Sequence, residues 1–187
     1  MSQRRPFFTA DIHAYHKNVI KYCNRPFKDM NEMLERIEVN WNDKITAKDQ
    51  VWILGDFAFC GREFARGLLK RLNGHKHLVI GNHDDKRILK APEWESVQNY
   101  KEINVGKQHI VLFHYGMRVW SRSHYGSWML YGHSHGSLPP IRNSFDVGID
   151  SHNFTPLHYD EVEDIIKNQD VKSIKSDNLA WWETYNL

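Results

Sequence analysis

Short apolar runs alternate with amphipathic stretches in the first half of the chain. The runs over residues 7–10, 51–54 and 77–80 have the length of single strands, and such continuous apolar character is typical of buried strands. The stretches between them predict helices with apolar residues at helical spacing: Met30, Met33, Leu34, Ile37 and Trp41 after a capping Asp29, and Phe64, Leu68, Leu69 and Leu72 before Asn73-Gly74. This alternation predicts an α/β fold with parallel strands joined by right-handed crossovers.

The second half of the chain is dominated by strand patterns. Strand-like runs occur at residues 97–105, 108–113, 128–131 and 145–149. The first two flank Gly106-Lys107, a pair that favours a hairpin turn. Val162, Ile165 and Ile166 indicate one late helix. No repeat, low-complexity tract or linker interrupts the pattern, so residues 1–187 are expected to form a single domain.

The aromatic segment at residues 179–183 carries no recognisable chemistry. Trp181 and Trp182 are expected to fill a groove on the body of the domain, because paired aromatic rings bury a large apolar area. A contact between two copies of the chain is the alternative. The oligomeric state is left open.

Net charge and cysteine content narrow the functional classes. The 187 residues include 25 Lys and Arg against 23 Asp and Glu, and a net charge of +2 argues against a strongly basic nucleic-acid-binding protein. Cys23 and Cys60 lack the spacing of a disulfide framework or a zinc site, as expected for a reducing cytoplasm. No apolar run approaches the roughly 20 residues that cross a bilayer, so no membrane partner is expected.

Twelve histidines in 187 residues point to metal chemistry. Seven candidate ligands follow apolar runs, and the carboxyl ends of strands in open α/β sheets bring such residues together. Four imidazoles, two carboxylates and one amide exceed the needs of one ion and suit two ions that share a carboxylate. Nitrogen and oxygen donors without thiolate favour Mn²⁺, Fe, Zn²⁺, Co²⁺ or Ni²⁺ over Ca²⁺. The candidate ligands are Asp11, His13, Asp56, Asn82, His114, His133 and His135.

Five short motifs carry these ligands: Asp11-x-His13, Gly55-Asp56, Gly81-Asn82-His83-Asp84, the single His114 and Gly132-His133-x-His135. In this order they resemble the motifs of the calcineurin-like metallophosphoesterases. The flanking residues at 16–18, 24–27, 57–59 and 147–150 further resemble small single-domain members found in bacteria and their phages. Ala10 and Tyr15 depart from the family pattern. Because Tyr15 is bulky, the resemblance does not predict the shape of the entrance to the pocket.

The resemblance implies a fold of two mixed β-sheets that pack as a sandwich flanked by helices. It implies a phosphoester hydrolase in which two divalent ions, Mn²⁺ first among the candidates, activate a hydroxide. His83 would face the substrate as general acid or transition-state stabiliser, and Asp84 would orient His83. One metal would be held by Asp11, His13, Asp56 and His135, and the other by Asp56, Asn82, His114 and His133, with Asp56 as the bridge.

The substrate is expected to be a phosphodiester or a nucleotide. Asp84 follows Gly-Asn-His here, whereas the protein phosphatases of the family that this chain resembles have Glu followed by Arg. Asn82 is expected to contact the substrate as well as a metal. His16, Arg118 and His124 are expected to contact the phosphate or the leaving group, with solvated surface loops as the alternative.

Three other functions stay open on the sequence. A phosphomonoesterase would use the same residues. A non-catalytic metal-binding scaffold is disfavoured because His83 and all seven ligands are present. A DNA nuclease is disfavoured by the small net charge, because duplex contact needs several Lys or Arg on phosphates; a nucleic-acid partner would need a local positive cleft.

Overall fold

The computed structural model describes residues 4–139 and 141–169. Its strands and helices alternate at first and then give way to consecutive strands. In chain order the elements are β1 (Phe7–Thr9), α1 (Val19–Tyr22), α2 (Met30–Lys44), β2 (Gln50–Leu54), α3 (Arg62–Arg71), β3 (His75–Val79), β4 (Trp94–Gln98), β5 (Tyr100–Val105), β6 (Gln108–Phe113), β7 (Trp128–Tyr131), β8 (Ser144–Asp146), β9 (Leu157–His158) and α4 (Tyr159–Lys167). Two short 3₁₀ helices are found at Ser123–Tyr125 and Ile149–Ser151.

The strands of the described residues form two mixed sheets. The first has the order β4-β3-β2-β1-β9, with parallel pairing from β1 to β4 and antiparallel pairing of β9 on β1. The second has the order β5-β6-β7-β8, with an antiparallel hairpin of β5 and β6 and parallel pairing from β6 to β8. The expected fold of two mixed sheets with flanking helices is confirmed.

Alternate side chains of β1 serve two different layers of the core. Phe7 packs in a cluster with Met33 of α2, on the helix side of the first sheet. Phe8 packs in a second cluster with Ile110 of β6 and Leu130 of β7, between the two sheets. Because successive side chains of a strand point to opposite faces, a sheet covered on both sides needs apolar residues at every position. Full burial of each such side chain contributes roughly 1.5–3 kcal/mol.

Several predicted local features are confirmed. The Asp29 side chain caps α2 and accepts hydrogen bonds from the backbone N–H groups of Asn31 and Glu32, at 2.9 and 3.0 Å. Strands β1, β2 and β3 are parallel. Gly106 has a φ of 60° in the turn between β5 and β6, a conformation that glycine adopts without steric cost.

Two predicted strands differ from the structure. The run at 97–105 is divided at Asn99, so that β4 belongs to the first sheet and β5 to the second. The predicted strand at 145–149 ends at Asp146. The Asp146 carboxylate accepts the N–H of Gly148 at 2.7 Å. Beyond Asp146 the main chain passes from one sheet to the other: the N–H of Val147 donates to the carbonyl of Tyr131 at 2.9 Å, and Gly148 forms a single parallel bridge with Ala10.

Two other expectations concern the chain as a whole. The aromatic segment at 179–183 lies outside the described residues. Among the described helices, none is both long and apolar enough to cross a membrane. A cytoplasmic location and a single domain over residues 1–187 stay predictions.

Candidate metal centre

The loops that carry the candidate ligands meet where parallel strands end. Strands β1 and β2 are neighbours, and backbone hydrogen bonds continue beyond them: the N–H of Asp11 donates to Gly55 at 3.1 Å and that of His13 to Asp56 at 2.8 Å. In the second sheet, the N–H of Gly132 donates to the carbonyl of His114 at 3.0 Å. Main-chain pairing therefore fixes the ligand loops to one another.

Three of the candidate ligands form a first group. Donor atoms of Asp11, His13 and His135 all lie within 4.8 Å of one another. Asp11 and His13 are buried, and the His13 and His135 rings are stacked with their centroids 5.3 Å apart. The Asp11 carboxylate also accepts the N–H of His133, at 2.8 Å to Oδ2. The first group thus combines one carboxylate with two imidazoles in a largely dry environment.

A second group lies beside the first. Donor atoms of Asp56, His114 and His133 are likewise within 4.8 Å of one another. His114 Nδ1 is 2.8 Å from the carbonyl oxygen of Leu54, which can only accept, so Nδ1 carries the proton. In the neutral ring Nε2 then presents a lone pair, and it lies 2.9 Å from Asn82 Oδ1, another acceptor. A cation coordinated by both atoms would remove this repulsion.

Asp56 lies between the two groups. Its Oδ1 accepts the backbone N–H of His83 at 2.9 Å. Its Oδ2 is 3.5 Å from His13 Nε2 and 3.6 Å from His114 Nε2. One oxygen is therefore held by the main chain, while the other faces an imidazole of each group.

Burial changes the pKa of the first group strongly. It raises the pKa of Asp11 to about 8, and it lowers the pKa of His13 to about 2. A carboxylate in such a place needs a compensating positive charge, and a neutral imidazole is the form that binds metals. The donor chemistry and the burial therefore fit divalent transition-metal ions.

A buried ion pair of Arg25 and Asp150 contacts the His135 ring. Arg25 Nε donates to Asp150 Oδ1 at 2.7 Å, and Asp150 Oδ2 is 2.7 Å from His135 Nδ1. The same guanidinium donates to the backbone carbonyls of Asp11 at 2.7 Å and Ile12 at 3.0 Å. Burial alone would raise the pKa of Asp150, but its bonds to His135 and Arg25 lower it. The hydrogen bond to Asp150 raises the pKa of His135.

The ligand motifs of the sequence do not predict Arg25 and Asp150, because neither residue lies within one of them. Both fall in flanking segments, 24–27 and 147–150, that carry part of the family resemblance. That resemblance was the signal that could have found them. Cys23 lies in the same place, with its Sγ 3.4 Å from His135 Nδ1, and forms a third candidate donor group with His135 and Asp150.

The backbone of the candidate ligands is unusual. Five of them have left-handed conformations that non-glycine residues adopt rarely, and Asp and His are among the residues that tolerate them. Strain of this kind costs of order 1–3 kcal/mol per residue and clusters at functional sites. The residues and their φ angles are Asp11 (55°), His13 (49°), Asp56 (55°), His133 (65°) and His135 (47°).

The glycines of the motifs leave room for these side chains. A Cβ on Gly81 would lie 2.2 Å from Asp56 Oδ1, and a Cβ on Gly55 would lie 2.2 Å from His114 Nδ1. Gly55 also has a φ of 89°, which strains any other residue. The Gly-Asp and Gly-Asn pairs of the sequence are thus a packing requirement of the site.

The Asp84 carboxylate, which was expected to orient His83, makes its described hydrogen bonds to main-chain N–H groups and not to the His83 side chain. Its Oδ2 accepts the backbone N–H groups of Gly81 at 2.8 Å and Asp56 at 3.0 Å, and its Oδ1 accepts that of Phe57 at 2.9 Å. Burial raises the pKa of Asp84, while these backbone amides oppose the shift. Because both oxygens are used by the main chain, Asp84 connects the loop of Asp56 to the loop of Asn82.

The remaining predicted site residues occupy different positions. His83 is exposed, and its ring centroid is 5.5 Å from that of His13. His16 is half-buried, with its ring 5.5 Å from His13 and 6.5 Å from His83. Arg118 and His124 are exposed in the segment between β6 and β7, and the His124 ring contacts Tyr125 at 4.2 Å. The structure therefore brings His16 and His83 to the ligand groups, and the described contacts do not do so for His124.

Known proteins resemble this chain over most of its length. An uncharacterized protein of Methanocaldococcus jannaschii, MJ1445, is 30% identical over 176 residues, which cover 89% of this chain and 94% of that protein. The Gene 66 protein of Mycobacterium phage L5 is 26% identical over 196 residues, with 87% and 94% coverage. Among solved structures, the protein of unknown function AQ665 from Aquifex aeolicus has a similar fold, with a TM-score of 0.69 and 21% identity over 88% of this chain and 100% of that one.

The sequence profile of the calcineurin-like phosphoesterases matches residues 5–185, almost the whole chain. The order of ligand motifs, the two mixed sheets and the candidate ligand groups agree with this match. The chain therefore belongs to the calcineurin-like phosphoesterase family and is a metal-dependent hydrolase of phosphoester bonds.

Proposed function

We propose that the protein is a phosphodiesterase, or a hydrolase of nucleotide phosphoesters, that uses two divalent transition-metal ions with Mn²⁺ as the first candidate. The position of Asp56 Oδ2, nearly equidistant from His13 Nε2 and His114 Nε2, carries this proposal, because an oxygen so placed can be shared by two cations. The first ion would be held by Asp11, His13, Asp56 and His135, and the second by Asp56, Asn82, His114 and His133.

Bound ions of this kind polarise phosphoryl oxygens and lower the pKa of water. His83 lies in neither ligand group, and its exposed ring stands beside His13. Its backbone is held by the hydrogen bond to Asp56, so its position relative to the ligands is fixed. His83 would donate a proton to the oxygen that leaves phosphorus, or stabilise the transition state by a hydrogen bond, a contribution of roughly 10²–10⁴-fold.

Other polar side chains would position the substrate. Asn82 is exposed, and its Oδ1 faces His114, which leaves its NH₂ group available to a phosphoryl oxygen. The His16 ring lies 6.5 Å from the His83 ring, and His16 would contact the phosphate or the leaving group. Arg118 and His124 would contact a leaving group that extends toward the segment between β6 and β7.

A diester or nucleotide substrate is supported by the exposure of Asn82, His83 and His133, which leaves the ligand groups open to a substrate larger than phosphate. Activity on bis-(p-nitrophenyl) phosphate and on p-nitrophenyl phosphate, each with added Mn²⁺, separates a diesterase from a monoesterase. We expect faster turnover of the diester. Faster turnover of the monoester would indicate a phosphomonoesterase, and no turnover of any phosphoester by metal-loaded protein would favour a non-catalytic scaffold.

A further inference from the structure

Two exposed aromatic rings, those of Phe59 and Tyr22, lie on the side of the site where His16 and His83 are found. The Phe59 ring is 6.2 Å from the His83 ring and 4.7 Å from the His16 ring, and Tyr22 is 6.2 Å from His16. Phe59 is 55% exposed and Tyr22 is 73% exposed. We call Phe59, His16 and Tyr22 the aromatic shelf. Large apolar side chains that are held exposed beside a reactive centre indicate a binding surface.

The shelf stands on a rigid backbone. The N–H of Phe59 donates to the carbonyl of Ala14 at 2.8 Å, and the N–H of Ala14 donates to Phe57 at 2.9 Å. Ala14 and Ala58, which follow shortly after His13 and Asp56, form a parallel bridge. The main chain at Phe59 is therefore held in a fixed relation to the candidate ligands, which limits the positions that its ring can reach. Less backbone freedom is then lost when a planar group stacks on the ring.

We propose that the aromatic shelf binds the nucleobase of a nucleoside diester whose sugar oxygen is the leaving group. This inference rests on the proposed function, in which His83 gives its proton to the leaving oxygen. In that reaction the bond from phosphorus to the sugar oxygen breaks and a bond from phosphorus to a water oxygen forms. The freed nucleoside keeps the proton on its oxygen, so its base lies on the side of His83, where the shelf is. Bases stack on aromatic side chains with little dependence on base identity.

The test compares two diesters that differ only in the base: methyl adenosine-5′-yl phosphate and methyl ribose-5-yl phosphate. The readout is the release of adenosine or ribose by the Mn²⁺-loaded enzyme. We expect kcat/KM to be about tenfold higher for the adenosine diester. Phe59→Leu, which removes the ring and keeps apolar bulk, should reduce this preference about tenfold, mainly through KM, whereas Phe59→Trp should keep it.

Phe64→Leu is the matched control, because Phe64 is an exposed phenylalanine, 66% exposed, that is outside the shelf. It should leave the preference unchanged. Equal effects of Phe59→Leu on both diesters, or no effect on either, would overturn the proposal. So would a loss confined to bis-(p-nitrophenyl) phosphate, because the shelf would then select an aryl group and not a nucleobase.

A binding measurement separates this proposal from the proposed function. If the metal-loaded protein turns over neither diester, the proposed phosphodiesterase function is wrong, whatever the shelf binds. Calorimetric titration with adenosine 5′-monophosphate and with ribose 5-phosphate then tests the shelf without turnover. Tighter binding of the nucleotide that Phe59→Leu abolishes would support the shelf, and equal binding of the two ligands would overturn it.

Discussion

The two groups of candidate ligands are supported in different ways. In the first group, His135 is held by the Asp150 carboxylate, which is itself paired with the buried guanidinium of Arg25. In the second group, His114 is held by the carbonyl oxygen of Leu54, a main-chain atom of β2. The first support depends on two side chains that are 125 positions apart in the sequence. The second is a carbonyl oxygen in the main chain of a strand. A substitution that touches no ligand can therefore weaken one group and spare the other.

Asp56→Asn should weaken metal binding by both groups, because Asp56 Oδ2 faces an imidazole of each. An amide is a weaker metal ligand than a carboxylate and carries no negative charge. We expect loss of both ions and of all activity, measured by metal analysis of the purified protein and by turnover of bis-(p-nitrophenyl) phosphate. Retention of one full equivalent of metal would contradict a shared carboxylate.

His83→Ala should leave both groups intact and affect only the chemical step. Because the His83 ring belongs to neither group, metal content should equal that of the unaltered protein. The value of kcat should fall roughly 10²–10⁴-fold with loss of the proton donor. Metal analysis that finds an empty site in this variant would overturn the assignment of His83.

Asp150→Asn should affect the first group alone. The substitution replaces an acceptor of Arg25 and His135 hydrogen bonds by an amide N–H₂, and loss of such an outer partner typically lowers metal affinity about 10–100-fold. Titration with Mn²⁺ should then show one weakened site and one unchanged site.

The control for this variant is Glu161→Gln, which removes a partly exposed ion pair with Lys44 at 2.7 Å and should leave both affinities unchanged. Circular dichroism would establish that both variants are folded. Equal weakening of the two sites by Asp150→Asn would show that the groups do not differ in the way their supports suggest.

The smallest expected effect is a pH dependence of stability in protein freed of metal by a chelator. Burial raises the pKa of Asp11 to about 8, so its contribution to stability is lost as the pH rises through that value. Burial lowers the pKa of His13 from 6.5, so its contribution changes only below pH 6.5. Between pH 6.5 and 8 the melting temperature of metal-free protein should fall.

Mn²⁺-loaded protein should not show this decrease, because a cation stabilises the charged form of Asp11. Thermal unfolding at several pH values, with and without metal, measures the difference. Asp11→Asn in the metal-free state provides the comparison, since its melting temperature should vary less over this range. An equal decrease in the metal-free Asp11→Asn protein would assign the effect to another group.

Local patterns were enough to predict the parts of the fold that depend on neighbouring residues. The apolar run of β2, the helix after Asp29 and the turn at Gly106 follow from periodicity, capping and turn chemistry within a few residues. The division at Asn99 did not follow, because a change of sheet leaves no mark on strand periodicity. The main-chain bonds of the Asp84 carboxylate did not follow either, because adjacency in a motif does not show where a side chain points.

The sequence by itself determined which side chains could form the site, because Asp11, Asp56 and His114 each come shortly after the end of a strand. Only the tertiary structure decided which other side chains contact these residues and support them. Arg25 and Asp150 are 125 positions apart, yet their side chains are 2.7 Å apart. Contacts over such separations depend on how the sheets and loops pack, and no local periodicity contains that information.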